Sequence, residues 1–354
     1  MKVVSVVGSR PQFVKLAPVS RALSDSGHEH VVIHTGPAYL RDIYHDLFER
    51  YGLRDVDQHL GIEPSSASGE TAQVMVALEP VLARLAPDWV LGYGDTDTTL
   101  ATILTAARCR LRSAHVEAGL RSYNRAMNQE HNRVAADHTA DLLLAPTPGA
   151  VERLRGEGLA DRTRLVGDVM VDVLTRAVAS PPGEALPQRP DAPYVVATLQ
   201  RTANTADPQR LDAILDALAD LPLPVLLVVS PRLFRQAQAH RLTLEGGSLR
   251  RVPPLTYLQM VHTLAGASGV VTDSAGVQKE AYVLGVPCTT LRAETEWPET
   301  LEGGWNVLQP DPGLLAEVAV REAPSTPRGT PFGDGHAAQA IVTALEGASP
   351  AGQP

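Results

Sequence analysis

Cysteine is scarce in this chain. Only Cys109 and Cys288 occur, far apart in sequence, so spacing supports neither a disulfide framework nor a cysteine-based metal site. Cys288 is expected to be a buried, reduced thiol. Cys109 sits between Arg108 and Arg110, which favours a thiolate if it is exposed, the alternative being an inert thiol between helix and strand. Lysine is nearly as rare, at Lys2, Lys15 and Lys279, so arginine carries almost all the positive charge. The planar guanidinium suits carboxylates and phosphates, although genomic bias produces the same preference. Long apolar runs are missing. Pro222 to Val229 stops at Ser230, well short of the roughly 18 residues a membrane span requires. The opening Met1 to Val7 is too short for the apolar region of a signal peptide, so a cytoplasmic protein is expected. No basic run interleaved with aromatics is present, and 31 Lys plus Arg against 40 Asp plus Glu leave a net charge of −9. Nucleic acid and anionic membrane are therefore not expected partners.

What is present is ample core. With 354 residues and 44% hydrophobic composition, the chain is long enough for two domains. Short β-branched runs alternate with one-sided helical patterns, which predicts an α/β fold of parallel sheets covered on both faces. Strands are expected at Val3 to Val7, Glu29 to His34, Trp89 to Tyr93, Ser113 to Glu117, Leu142 to Ala145, Tyr194 to Thr198, Val225 to Val229, Gly269 to Thr272 and Cys288 to Leu291. Helices are expected at Val14 to Ser24, Thr98 to Ala107, Asn132 to Asp141, Pro208 to Leu218, Leu255 to Leu264 and Val277 to Leu284. A proline-rich stretch before Tyr194 marks a boundary, giving domains at 1–180 and 194–335, a linker at 181–193, and a C-terminal helix with a frayed tail at 336–354. Two doubly wound domains facing each other across a cleft would bind ligand near the carboxyl ends of their strands.

Three clusters sit at such ends. Gly8 closes the first strand and Arg10 follows at the mouth of a helix, a place that suits phosphate, unless the arginine is merely solvated or paired with a carboxylate. No G-x-G-x-x-G fingerprint occurs, which disfavours a dinucleotide. The second cluster repeats the pattern in the other domain. Ser274, Ala275 and Gly276 allow backbone N–H groups to approach phosphate oxygens, and Glu280 one turn on suits ribose hydroxyls; an ordinary helix cap by Asp273 or Ser274 is the alternative. In the third, Asp95 and Glu117 fall at strand ends where a carboxylate is aimed into a cleft or caps a helix, with Asn128-Gln-Glu-His-Asn-Arg133 downstream. His115 and Glu117 would share a face by strand alternation, but no third ligand is near, so no metal is expected.

These stretches resemble the non-hydrolysing UDP-N-acetylglucosamine 2-epimerases along nearly the whole chain. The similarity is carried by Gly8 to Pro18, Gly94 to Ala101, His115-Val-Glu-Ala-Gly-Leu-Arg121, Asn132-Arg133 with Asp137-His138, Val271 to Ala281 and Glu294 to Glu299. The resemblance implies a glycosyltransferase-B-like pair of Rossmann-like domains, a homodimer, UDP bound between the domains, and no metal or other cofactor. It further implies that Arg10, Lys15, Ser274, Ala275, Gly276, Glu280, Arg201 and Arg292 hold the UDP-sugar with Gln129 and Gln200, while Asp95, Glu117, Glu130 and Arg133 face the reacting sugar. Such enzymes expel UDP, remove the C2 proton to give 2-acetamidoglucal, and add both back with C2 inverted.

The departures from the family fall on chemistry. The usual Pro-Glu-Glu run reads Asn128-Gln-Glu130, so the first acid is the amide Gln129, which cannot exchange a proton. A histidine expected against the leaving diphosphate is Gln200. Glu130, or His131 after a modest helix rotation, is the neighbour that would have to compensate. Thr35-Gly-Pro-Ala-Tyr39 and Ser230-Pro-Arg-Leu233 replace runs that bind a second, activating UDP-sugar in bacterial members, so that allosteric site is expected to be absent. Three readings follow. The first is a UDP-GlcNAc 2-epimerase with rearranged acid–base groups, the second a transferase or hydrolase passing the sugar elsewhere, and the third a binding protein without turnover.

Overall fold

A computed structural model describes residues 1–37, 55–63, 65–181, 190 and 193–348. Two compact units emerge, one of residues 1–173 with 331–354, the other of residues 174–330. Most of the expected linker, and Ala38 and Tyr39 of the run whose departure led to the expectation of no activator site, lie outside the described residues. The helix Ala337–Gly347 belongs to the first unit rather than trailing the second. Asp172 caps it, accepting from the backbone N–H of Ala337 at 3.1 Å and Ala338 at 2.9 Å, and Ile341, Val342 and Leu345 enter that unit's core.

The first unit holds a parallel sheet of seven strands, β1 (Lys2–Val7), β2 (Glu29–His34), β3 (Gln58–His59), β4 (Trp89–Tyr93), β5 (Ser113–Val116), β6 (Leu142–Ala145) and β7 (Thr163–Leu165). Their order is β3-β2-β1-β4-β5-β6-β7. Side-chain alternation splits the sheet's two faces. Val3 and Val7 join Phe13, Leu16 and Leu23 of the helix Arg10–Asp25, whereas Val4 and Val6 pack with Leu78, Val81 and Leu82 of the helix Ala67–Leu85. That two-sided burial is why β1 reads as an almost unbroken valine run.

The second unit repeats the plan with six parallel strands: β8 (Val195–Thr198), β9 (Val225–Val228), β10 (Leu249–Val252), β11 (Gly269–Thr272), β12 (Cys288–Thr290) and β13 (Asn306–Leu308), ordered β10-β9-β8-β11-β12-β13. Val195, Ala197 and Val271 face the helix Pro208–Ala219, while Val196 and Val270 face Val277 and Ala281 of the helix Ala275–Leu284. The expected α/β class with two doubly wound sheets is therefore found. Winding reverses between β1 and β4 in one unit and between β8 and β11 in the other, and the strand ends beside such a reversal are where this fold offers a ligand crevice.

Burial pushes the Cys288 thiol up to about 12. Burial, aided by Glu79, also raises Cys109, so the flanking arginines do not yield a thiolate. Among the described residues no helix is long and apolar enough to cross a membrane.

Candidate active site

At the β1/β4 reversal one side chain stitches two loops. Gln12 Oε1 accepts from Gly8 N at 2.8 Å and Ser9 N at 3.1 Å, and its Nε2 donates to Tyr93 O at 2.9 Å, Thr96 Oγ1 at 2.9 Å and Thr99 Oγ1 at 3.0 Å. The N–H groups of Gly8 and Ser9 are thus occupied within the protein. Arg10 is exposed beside it and makes no ion pair among the described residues.

One turn into the same helix, Lys15 forms an ion pair with Glu117. Burial works against the ammonium, but Glu117 and Asp95 outweigh it and hold Lys15 above its ordinary value. Glu117 does not continue β5 as expected. The strand ends at Val116, and Glu117 takes a left-handed backbone with φ of +74°. Alternation therefore no longer governs where its side chain points. A non-glycine residue in this region is uncommon and costs about 1–3 kcal/mol, so it persists only where its surroundings enforce it.

His115 is completely buried, with Nδ1 at 2.6 Å from Asp137 Oδ1 and Nε2 at 2.7 Å from Gly94 O. Both ring nitrogens are thereby engaged. Asp137 Oδ2 also accepts from Gly119 N at 3.0 Å and Arg121 Nη1 at 2.7 Å, and Arg121 continues to Glu157 through two further bonds. Burial penalises the Asp137 carboxylate, yet His115 and Arg121 together keep it below its ordinary range.

The helix Asn128–Thr139 begins four residues earlier than expected, which brings Gln129 and Glu130 into its first turn. Arg133 pairs with Asp95 beyond the end of β4, and Asn132 Nδ2 donates to Asp95 O at 3.1 Å and Asp97 Oδ1 at 2.9 Å. Asp95 keeps about a third of its side-chain surface exposed, at 32%. Glu130 has other work. It accepts from Ser122 N at 2.7 Å, Ser122 Oγ at 2.9 Å and Tyr123 N at 2.9 Å, and lies 3.4 Å from Arg133 Nη1. Although burial opposes it, these donors and Arg133 draw its pKa down. Gln129 is exposed, and His131 Nε2 lies 2.9 Å from Arg125 O.

In the second unit the corresponding stitch is Asp273. Its carboxylate accepts from Gln200 N at 2.8 Å, Arg201 N at 3.0 Å and Asn204 Nδ2 at 3.0 Å, tying the loop after β8 to that after β11. Asp273 is fully buried and is committed to that loop, and Ser274 makes no side-chain cap bond. The helix Ala275–Leu284 therefore starts with no side-chain cap, and the alternative left open by the sequence falls away. A Cβ built on Gly276 would meet only Ser274 Oγ, at 3.9 Å, so packing within the protein does not require glycine there. Beside it, Glu296 binds Arg292 at 2.8 and 3.1 Å and Arg201 at 3.2 Å. Burial raises its pKa, but the bond from Arg292 and the two positive charges bring it down to about 2. Glu280 is buried on the same helix.

Sequence reasoning thus named Lys15, Asp95, Glu117, Glu130 and Arg133, which the first unit gathers, and Gln200, Arg201 and Arg292, which the second gathers around two buried acids. The bridging roles of Gln12, Asp137, Asp273 and Glu296 were not legible in the sequence, although Asp273 stood as a possible helix cap and Asp137 within a matching stretch. The signal for each was a buried polar side chain beside a strand end, visible only once the loops are folded.

The chain is similar to known proteins along most of its length. The family model for UDP-N-acetylglucosamine 2-epimerase matches residues 21–346. A UDP-N-acetylglucosamine 2-epimerase homolog of Methanococcus maripaludis is 35% identical over 98% of this chain and 99% of its own. The UDP-2,3-diacetamido-2,3-dideoxy-D-glucuronate 2-epimerase of Pseudomonas aeruginosa is 37% identical over 87% of this chain and 88% of its own. The crystal structure of the Methanocaldococcus jannaschii UDP-GlcNAc 2-epimerase, in complex with UDP-GlcNAc and UDP, superposes with a TM-score of 0.86 at 31% identity, covering 98% of this chain and 99% of that one. The chain belongs to the UDP-N-acetylglucosamine 2-epimerase family.

Proposed function

We propose that this enzyme inverts C2 of a UDP-2-acetamido sugar, UDP-N-acetylglucosamine in the first instance, using Asp95 and Glu117 as its proton-carrying carboxylates. The observation that carries the reading is the placement of these two acids beyond the ends of adjacent strands β4 and β5, each paired with a cation, Arg133 or Lys15. In the forward step the C1–O bond breaks and its electron pair leaves with UDP. The C2–H bond supplies the electrons of the new C1=C2 double bond, and its proton passes to a carboxylate. In the return step a UDP oxygen rebonds to C1 and a proton reaches C2 from the opposite face.

Charge that accumulates on the leaving diphosphate needs donors already in place. The uncapped N-terminus of the helix Ala275–Leu284 and the Arg201/Arg292 pair supply them in this reading, with Gln200 in the loop that Asp273 fixes. Glu280 is assigned to the ribose. Glu130 is assigned to holding the Ser122–Tyr123 turn and Arg133. Its carboxylate already accepts three bonds from that turn, which stabilises the charged form and makes it a poor base. Gln129 contributes hydrogen bonding only.

The relative that acts on UDP-2,3-diacetamido-2,3-dideoxy-D-glucuronate supports a second candidate substrate with the same reacting C2. Incubation with each UDP-sugar in D2O, followed by NMR, decides between them. Deuterium at C2 together with the C2 epimer identifies the substrate. UDP release without C2 exchange would instead make the protein a transferase or hydrolase. A homodimer and a cytoplasmic location complete the proposal, to be checked by light scattering and cell fractionation.

A further inference from the structure

We propose that Asp137 is the positioning residue for Glu117, holding it in its left-handed conformation from both sides along the chain. This rests on the role just proposed for Glu117. The Asp137 carboxylate binds His115, two residues before Glu117, and accepts from the N–H of Gly119, two residues after it. A third bond takes Arg121, four residues after, whose own far side is fixed by Glu157. His115 carries the link onward to Gly94 O, at the end of the neighbouring strand β4 and next to Asp95. One carboxylate on the helix Asn128–Thr139 therefore spans the whole turn that presents Glu117 and reaches the backbone beside Asp95.

The turn has no slack. Gly119 has φ of +82°, and a Cβ there would lie 2.7 Å from Ala150 O, so the backbone is wedged against the helix Pro148–Gly156. Asp137, His115 and Arg121 are all buried and bonded to partners within the protein. An unfavourable φ at Glu117 persists because these bonds over-determine it. The seven-residue run His115 to Arg121 thus divides its work: Glu117 meets the reacting region, while His115, Gly119 and Arg121 serve the acid that sets it there.

The test is Asp137→Asn, which keeps shape and removes charge, with Asp141→Asn as its matched control. Asp141 supports the opposite end of the same strand, accepting from Ser113 N at 2.8 Å and Ser113 Oγ at 3.3 Å, with no link to Glu117. In Asp137→Asn the kcat for C2 deuterium exchange is expected to fall about 100-fold, the scale of a small misplacement of a reacting group. KM should stay within about threefold, because the UDP contacts are untouched. Its crystal structure should show Glu117 out of the positive-φ region and parted from Lys15. Asp141→Asn should lose thermal stability and retain kcat. Unchanged kcat in a folded Asp137→Asn, or an equal kcat loss in Asp141→Asn, would overturn the proposal. If Asp137→Asn does not fold, His115→Gln removes one of the same links and is read identically. Should the wild-type enzyme exchange no C2 proton, the proposed reaction fails, while the conformation of Glu117 in the variant still decides whether Asp137 sets it.

Discussion

Lys15 and Glu117, 102 residues apart in sequence, form a largely buried ion pair in which the lysine lies in the first helix and the glutamate just past β5. Lys15 is held above the ordinary 10.5 by Glu117 and Asp95 despite burial. A raised lysine contributes stability that is fully present below 10.5 and is lost as pH rises through the folded-state value. Thermal melting followed from about pH 9 to 12 should therefore show an alkaline decline that Lys15→Met lacks. At neutral pH that variant should be less stable by about 3 kcal/mol, because an unpaired carboxylate remains. Parallel alkaline profiles in the two proteins would refute the pairing.

Glu296 gives the opposite dependence. Its folded-state pKa is about 2, below the ordinary 4.5, so its contribution is complete above 4.5 and disappears as pH falls toward 2. A shift of that size corresponds to roughly 3 kcal/mol. Glu296→Gln should flatten the acid limb of a urea-denaturation series between about pH 5 and 2. A variant with an undiminished acid slope would assign that slope to other carboxylates.

Gly276→Ala separates folding from binding. Because the added methyl meets only Ser274 Oγ at 3.9 Å, melting should be unchanged or slightly raised. UDP affinity, measured by calorimetry, should drop about tenfold or more as the methyl blocks close approach to the helix N-terminus. Equal affinity would remove that N-terminus from the diphosphate site.

How far the sequence could be read depended on burial. The nine strands it revealed form the interiors of the two sheets. All four it missed, β3, β7, β10 and β13, are edges. Arg164 and Leu165 in β7 and Arg250 and Arg251 in β10 are exposed, so those segments lack the apolar run that two-sided burial imposes. Charged residues at strand ends were legible because a βα turn puts them at the mouth of a crevice. Their partners were not, since Asp137 and Asp273 act on loops distant in sequence and look like ordinary helix or turn acids. The left-handed turn at Glu117 was equally hidden, because its chain neighbours gave only a continuing strand.

Glu130 is the residue on which the sequence and the structure part. The sequence offers it as the substitute acid, whereas its three bonds to the Ser122–Tyr123 turn are the basis on which we propose it as a clamp. Glu130→Gln should cost about 1–3 kcal/mol of stability through lost acceptors. Its C2 exchange should stay within about tenfold of wild type, far from the 100-fold or larger loss expected on deleting a proton carrier. A large fall in kcat with unaltered melting would restore Glu130 as the acid.

In the proposed reaction Asp95 and Glu117 move the C2 proton without an acid at position 129. The measurement that tests it most directly is C2 deuterium incorporation from D2O into the substrate UDP-sugar, compared in wild type, Asp95→Asn and Glu117→Gln. Exchange in wild type, with a fall of about 100-fold or more in each variant while UDP-sugar binding persists, is the expected result. Exchange that survives in either variant, or UDP-sugar bound by the wild type with its C2 proton unexchanged, would contradict it.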